Sequence, residues 1–283
     1  MPPRQRVQTA IVTVGSESSP DAVPEAVRAA LVDGALDVVR MLPGASNATL
    51  FCRVPGPAGP IDCVFKPVAG ERPLWDFPDD TLSGREVAAY EVAQILAWPL
   101  VPLTVWREDS DMGPGMCQLW IPEVEQARPV DVFAPGQAPQ GWIVVLEAHD
   151  GRGRPVVLAH DASADLQLMA AFDVIVNNAD RKGGHVLADA QGHVWGIDHG
   201  VCFAEEHKLR TVLWGWAGAA LPDETLARIA GLDLALDAGA DAVDRWLTPG
   251  ERRALRSRVR SLLDTGRLPH PGSGWPAVPW PVF

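Results

Sequence analysis

Residues 177–200 read N-N-A-D-R-K-G-G-H-V-L-A-D-A-Q-G-H-V-W-G-I-D-H-G, and this stretch limits the choices of the chain more than any other. Two short apolar runs flank a Gly-containing turn, which predicts a loop followed by a short hairpin. Two acids, Asp180 and Asp198, stand at its ends. An acid closing an apolar strand must pair with a cation or hold a metal, because an unpaired buried charge is costly. Two carboxylates so placed suit phosphoryl transfer from ATP. One orients the attacking group and the other holds a metal on the phosphates.

The bulk numbers bound the rest. A chain of 283 residues buries a full core as one large domain or two lobes. Hydrophobic residues make up 47% of it, so it is globular and not disordered. No run approaches the roughly 18 apolar residues that span a bilayer. The opening M-P-P-R-Q-R-V-Q-T-A lacks the apolar core of a signal peptide, so a cytoplasmic location is expected. Cys52, Cys63, Cys117 and Cys202 form no C-x-x-C pair; buried reduced thiols are expected, not zinc or redox chemistry. With 24 basic and 36 acidic residues the net charge is −12. That balance argues against nucleic acid as a partner and against stable association with an anionic membrane. Lysine occurs only at 66, 182 and 208, with arginine supplying the other cations. Each lysine is therefore a better functional candidate than usual.

Periodicity and turn residues predict a helix at 21–33, capped by Asp21 and ended by Gly34. Strands follow at 35–42, 49–54 and 61–67, joined by tight turns into an antiparallel meander. A Pro/Asp/Gly-rich loop covers 68–84, and 85–96 is the clearest helix. Strand-like pieces recur at 100–106 and 116–122. Residues 127–155 are rich in Pro and Gly and read as a lid or insertion. A buried helix at 166–176 runs into the loop at 177. Further helices are expected at 222–231 and 248–264. The tail 269–283, with Trp275, Trp280 and Phe283, cannot be helix or regular sheet and either docks on the body or frays. A β-rich N-terminal lobe at 1–122 and a mainly helical C-terminal lobe at 123–283 are expected.

Order then matters more than any single residue. The chain offers, in sequence, the turn P-G-A-S-N-A (43–48), Lys66 on a strand, Glu86 on a helix, Asp180 in a loop and Asp198 after a strand. A turn whose N–H groups cover phosphates, a lysine that neutralises them, an acid that holds the lysine and two further carboxylates are the parts phosphoryl transfer needs.

The segments V-F-K-P (64–67), R-E-V-A-A-Y (85–90), M-C-Q-L-W-I-P (116–122), N-A-D-R (178–181) and I-D-H-G (197–200) resemble those of type II phosphatidylinositol 4-kinases and related atypical kinases. The wider chain resembles an actinobacterial family distantly similar to phosphatidylinositol 3-/4-kinases. The resemblance implies an α+β, two-lobed, protein-kinase-like fold that binds ATP with Mg²⁺ or Mn²⁺. It also implies roles. Ser46, Asn47, Lys66 and Glu86 would bind phosphates, and Trp120 and Ile121 would lie at the adenine. Asp180, Arg181 and Lys182 would carry the transfer, and His185 and Asp198 would hold the metal.

His185 departs from the family pattern, which has Asn there. Imidazole suits Mn²⁺ better than Mg²⁺, so a Mn²⁺ preference is expected. His193, His199, His207, Lys208 and Arg210 surround or follow the metal segment. Cations there would suit an anionic acceptor. The expected activity is an ATP-dependent phosphotransferase acting on a hydroxyl of a soluble molecule, a lipid headgroup or a protein, with a soluble acceptor favoured. Three alternatives stand beside it. One is a nucleotide-binding pseudokinase that acts through a protein partner. A second is a nucleotidyl transferase on the same fold. The third is a metal-dependent hydrolase using His185, Asp198 and Asp180, for which Lys66 would be incidental.

Overall fold

The structure is a computed structural model that describes residues 24–44, 47–124, 127–273 and 276–283. It is a mixed α+β chain whose sheets are antiparallel. The three expected N-terminal strands form. β1 (Asp37–Met41), β2 (Leu50–Gly56) and β3 (Gly59–Pro67) make an antiparallel meander. β4 (Thr104–Arg107) and β5 (Gly115–Leu119) extend it to five strands in the order β1-β2-β3-β5-β4.

Alternation along β3 decides what each face receives. Cys63 and Phe65 are fully buried in the core. Val64 and Lys66 fall on the opposite face. Gln118 of β5 stands directly across from Val64 and shares that face.

α1 (Glu25–Asp33) and α2 (Leu82–Ile95) pack on the sheet. α1 begins just after Pro24; its expected cap, Asp21, lies outside the described residues. α2 starts three residues before the expected position 85. It is buried on nearly all sides, from Leu82 to Ala93 apart from Glu91. A helix without a polar face must be wrapped by protein. The sheet covers one side. Trp246 covers another, and Gly84 makes room for it: a Cβ there would lie 2.9 Å from Trp246 Cε3.

The second half holds α3 (Ala164–Val176), the hairpin β9 (Val186–Ala188) and β10 (Val194–Gly196), α4 (Asp223–Ala238), α5 (Asp241–Asp244) and α6 (Pro249–Thr265). α4 runs past the expected end at 231 because Leu232 and Leu236 continue its buried stripe. α6 opens with a capping box: Glu251 N–H donates to Thr248 Oγ1 and Thr248 N–H donates to Glu251 Oε2.

Residues 127–155, read from the sequence as a lid or insertion, carry regular structure. β6 (Val130–Phe133), β7 (Ile143–His149) and β8 (Pro155–His160) form a three-stranded antiparallel sheet in the order β6-β8-β7. The glycines, with Pro135 and Pro139, belong to the connections at 134–142 and 150–154. There Asp150 Oδ1 accepts from the Arg152 and Arg154 N–H groups.

The tail forms no helix or strand over its described residues, and it docks. Ala277 O accepts from Thr211 N–H and Trp214 Nε1–H, and Val282 O accepts from Gly183 N–H at 2.8 Å. Trp280 stays 72% exposed, and Trp275 lies outside the described residues. One hydrophobic core runs from α1 and the five-stranded sheet through α3 to α6. Among the described residues no helix is long and apolar enough to cross a membrane.

Candidate functional site

Lys66 stands at the end of β3 with its ammonium between two carboxylates. Nζ lies 2.5 Å from Glu86 Oε1 and 2.8 Å from Asp198 Oδ1. Glu86 comes from α2 and is almost fully buried; its second oxygen accepts from the His199 N–H at 2.8 Å. One acid thus ties the strand lysine to the loop that carries Asp198. α2 itself is pinned by its neighbour Arg85, which is fully buried, pairs with Glu251 and donates to Cys202 O at 2.7 Å.

The charges reinforce one another. Burial opposes the ammonium form of Lys66, but the charges of Asp198 and Glu86 outweigh it and hold its pKa above the ordinary lysine value. The Lys66 charge holds Asp198 well below the usual carboxylate range. Burial pushes Glu86 upward, against the pull of Lys66. The Asp198 side chain remains about half open to solvent, at 49%. Its backbone is left-handed, with φ of 62°, a conformation a non-glycine residue adopts only where its surroundings hold it.

A cleft of about 360 Å³ opens on this face of the sheet, lined by Val64, Lys66, Gln118, Trp120, Lys182 and Asp198. The turn between β1 and β2 covers it through Leu42, Pro43, Gly44 and Asn47. Lys66 and Asp198 also face a second cleft of about 370 Å³, between the 71–74 segment and the start of α2. Both volumes suit small-molecule sites. The loop between β3 and α2 is anchored at each end. The Glu71 carboxylate accepts from the Leu82 and Ser83 N–H groups, capping α2, and Asn47 Oδ1 accepts from the Arg72 N–H.

α3 ends at Asn177, which takes a left-handed conformation. Two asparagines then fix the loop. Asn177 Nδ2 donates to Ala204 O and Glu206 O, and its Oδ1 accepts from the Lys208 N–H. Asn178 Nδ2 donates to Asp173 Oδ1, and its Oδ1 accepts from the Asp180 N–H. Asp180 is partly exposed and pairs with Lys182 at 3.0 Å.

His185 Nε2 lies 3.4 Å from Asp198 Oδ2, and burial lowers the His185 pKa, favouring the neutral ring. Among the described residues no group of three or more His, Cys, Asp or Glu is placed to hold a metal by itself. The pair nevertheless fits a divalent ion that takes the rest of its shell from water and phosphate oxygens, as Mg²⁺ and Mn²⁺ do in nucleotide sites.

No family model matches the chain. It is 46% identical over 265 residues to Protein Rv2133c of Mycobacterium tuberculosis, across 90% of this chain and 95% of that protein. The chain belongs to the Rv2133c family. The expected tie to an actinobacterial family is thereby met. A solved structure of the Helicobacter pylori proinflammatory kinase CtkA aligns with 83% of this chain and 95% of that one, at a TM-score of 0.40 and 9% identity. A likeness at that level carries no argument about activity.

In this member of the Rv2133c family, the structure brings Lys66, Glu86, His185 and Asp198 together and sets Asn47, Trp120 and Lys182 around the cleft. Other expected residues fall elsewhere. Ser46 lies outside the described residues. Ile121 does not line the cleft. Arg181 is corrected: it is fully buried, and its guanidinium is spent on Asp173, Ile197 O and His199 Nε2, so it is not free to meet a phosphoryl group.

Of the expected acceptor-binding cations, His199 and Lys208 are corrected. His199 is fully buried; burial and the Arg181 charge hold its pKa well below the ordinary value. His193 donates to Pro99 O. Lys208 pairs with Asp76 at 3.0 Å between the rings of Trp75 and Phe77. His207 and Arg210 line neither cleft beside Lys66. Sequence reasoning passes over Asp173, Asn177 and Asn178. Asp173 left a signal, as the one acid in the otherwise apolar run L-M-A-A-F-D-V-I-V.

Proposed function

We propose that this protein is an ATP-dependent phosphotransferase with a kinase-like arrangement: an N-terminal lobe to residue 122, a C-terminal lobe from 123, and nucleotide in the cleft between Trp120 and Lys66. The observation that carries the reading is the Lys66 ammonium held by Glu86 on one side and Asp198 on the other. A structural ion pair needs one carboxylate; the second, half exposed at a cleft, leaves an excess negative charge that a divalent ion carried in with phosphates would offset. Lys66 would bind phosphate oxygens and Glu86 would keep it aimed. Trp120, which lines the cleft, offers a flat apolar face for a base. Asp180 would orient an acceptor hydroxyl and receive its proton, with Lys182 beside it to balance charge on the phosphoryl group. A divalent ion on Asp198 and His185 would neutralise the charge of the phosphates, and the neutral imidazole makes Mn²⁺ the favoured ion. The second cleft, reached from the same Lys66 and Asp198, is the place for the acceptor.

The test is ADP formation from ATP, measured with Mg²⁺ and with Mn²⁺, on wild type, Lys66→Ala and Asp180→Asn. The reading expects metal-dependent turnover, faster with Mn²⁺, and a loss of about 100-fold or more in each variant. Turnover that survives Lys66→Ala would favour a metal-dependent hydrolase using His185, Asp198 and Asp180.

Two observations favour a second reading. Asp180 is paired with Lys182, and His185 stands where an oxygen ligand is expected. Nucleotide binding without turnover would then mark a pseudokinase that acts through a protein partner.

A further inference from the structure

A third cleft, of about 550 Å³, shares no lining residue with the two beside Lys66. Its floor is apolar, with Val174, Leu262 and Leu268. Around that floor stand Arg258, Arg267, His207 and His270. No Asp or Glu lines it, in a chain whose net charge is −12.

α6 makes the contrast plain. On its side toward α4 the arginines are matched with acids: Arg256 with Asp237 and Arg260 with Asp233, while Arg252 pairs with Asp244 of α5. Among the described residues neither Arg258 nor Arg267 pairs with a carboxylate. Arg258 spends Nε on Ile175 O at 2.9 Å and Nη1 on Ala204 O at 3.3 Å, while its buried Nη2 has no partner. Arg267 is exposed and donates Nη1 to Gly218 O at 2.9 Å. Burial pushes the Arg258 guanidinium down to about 10, so it still carries its charge at neutral pH. Two guanidinium groups that pair with no carboxylate, with two imidazoles beside them and apolar side chains between, favour a ligand with an anionic head and an apolar body.

We propose that the cleft between α6 and the 267–270 segment binds a small amphipathic anion, a phosphate or carboxylate carried on an apolar body. The apolar body lies on Leu262, Leu268 and Val174, and the head meets Arg267 and the imidazoles. Arg258 adds positive potential from beneath.

The test is calorimetric titration of the full chain with n-octyl phosphate, octanoate, 1-octanol and inorganic phosphate. Binding of one equivalent of octyl phosphate or octanoate is expected, with octanol and inorganic phosphate each at least tenfold weaker. The stronger of the two amphiphiles names the head group. Because Arg258 also supports backbone, the variants are Arg267→Gln and Ser261→Trp, the second filling the cleft from its rim. Arg267→Gln should weaken binding about tenfold and Ser261→Trp should abolish it, with wild-type melting temperatures in both. The proposal is overturned if wild type binds neither amphiphile at millimolar concentration, if octanol binds as well as they do, or if both variants bind unchanged.

Discussion

Glu86 and His199, 113 positions apart, are joined by a 2.8 Å hydrogen bond from the His199 backbone N–H to Glu86 Oε2. The other Glu86 oxygen holds Lys66, so one buried carboxylate fixes both a strand and a loop. Glu86→Gln keeps the shape and one acceptor oxygen but removes the charge. It should reduce stability by about 1–3 kcal/mol, because the remaining oxygen serves only one partner and the amide group faces the other, the His199 N–H or the Lys66 ammonium, as a donor. It should also weaken nucleotide binding, as Lys66 is freed to turn toward Asp198. Chemical denaturation and nucleotide titration of the one variant check both outcomes. Unchanged nucleotide affinity in a destabilised protein would make Glu86 purely structural.

Arg181 and Lys182 are adjacent and should part in behaviour. Arg181→Ala leaves Asp173 buried and without its cation, which costs about 3–5 kcal/mol. Lys182 is partly exposed and pairs only with Asp180. Lys182→Ala should leave the melting temperature within about 2 °C of wild type and lower turnover. Thermal melts separate the two; similar melting temperatures would contradict the burial of Arg181.

Gly183 lies against the ring of Phe283, so that a Cβ at 183 would overlap the ring, and its N–H donates to Val282 O. Gly183→Ala should dislodge the tail and speed its proteolytic cleavage. Phe283→Ala should restore room, so the double variant should be more stable than the sum of the single changes predicts. Strict additivity would show that the tail does not brace the loop beside His185.

His160 contributes to the pH dependence of stability, as do His185 and His199, whose pKa values burial also lowers. His160 is fully buried and stacks on Trp216; Nδ1–H donates to Asp161 O, and Nε2 accepts from the Gly215 N–H. Burial lowers its pKa below the ordinary histidine value. The folded state therefore binds this proton less readily than the unfolded chain. The associated stability is complete above about pH 6.5, the unfolded value, and is lost as the pH falls from there toward the lower folded value. The loss should approach, at most, about 1.4 kcal/mol per pH unit for this group. Urea denaturation at pH 7.5, 6.5 and 5.5 reads it, and His160→Gln should flatten the slope. An identical slope in the variant would assign the effect elsewhere.

Much of this arrangement was legible in the sequence. Turn residues bracketed the first three strands, and the short hairpin after residue 185 was framed by its apolar runs. Lys66, Glu86 and Asp198 were legible from their order, and ion pairs join them; Asp180 pairs with Lys182 and lines neither cleft. The sheet at 130–160 was not legible, because dense Pro and Gly in its connections hid the strands, and β6 and β7 are only partly buried. The role of Arg181 was hidden for a different reason. An arginine beside an aspartate looks the same in sequence whether it faces solvent or reaches back to an acid eight residues earlier in the preceding helix. Lys208 likewise looked free until Asp76, 132 residues away, came beside it. Long-range pairing sets these roles, and local pattern does not encode it.

The central claim is that Asp198 and Lys66 form a metal-dependent nucleotide site. Its most direct test is ATP binding followed by tryptophan quenching, with Mg²⁺, with Mn²⁺ and without metal, on wild type and Asp198→Ala. The account predicts saturable binding that needs metal, is tighter with Mn²⁺ and disappears in Asp198→Ala while the fold persists. ATP binding that is equal with and without metal, or that survives Asp198→Ala, would contradict it.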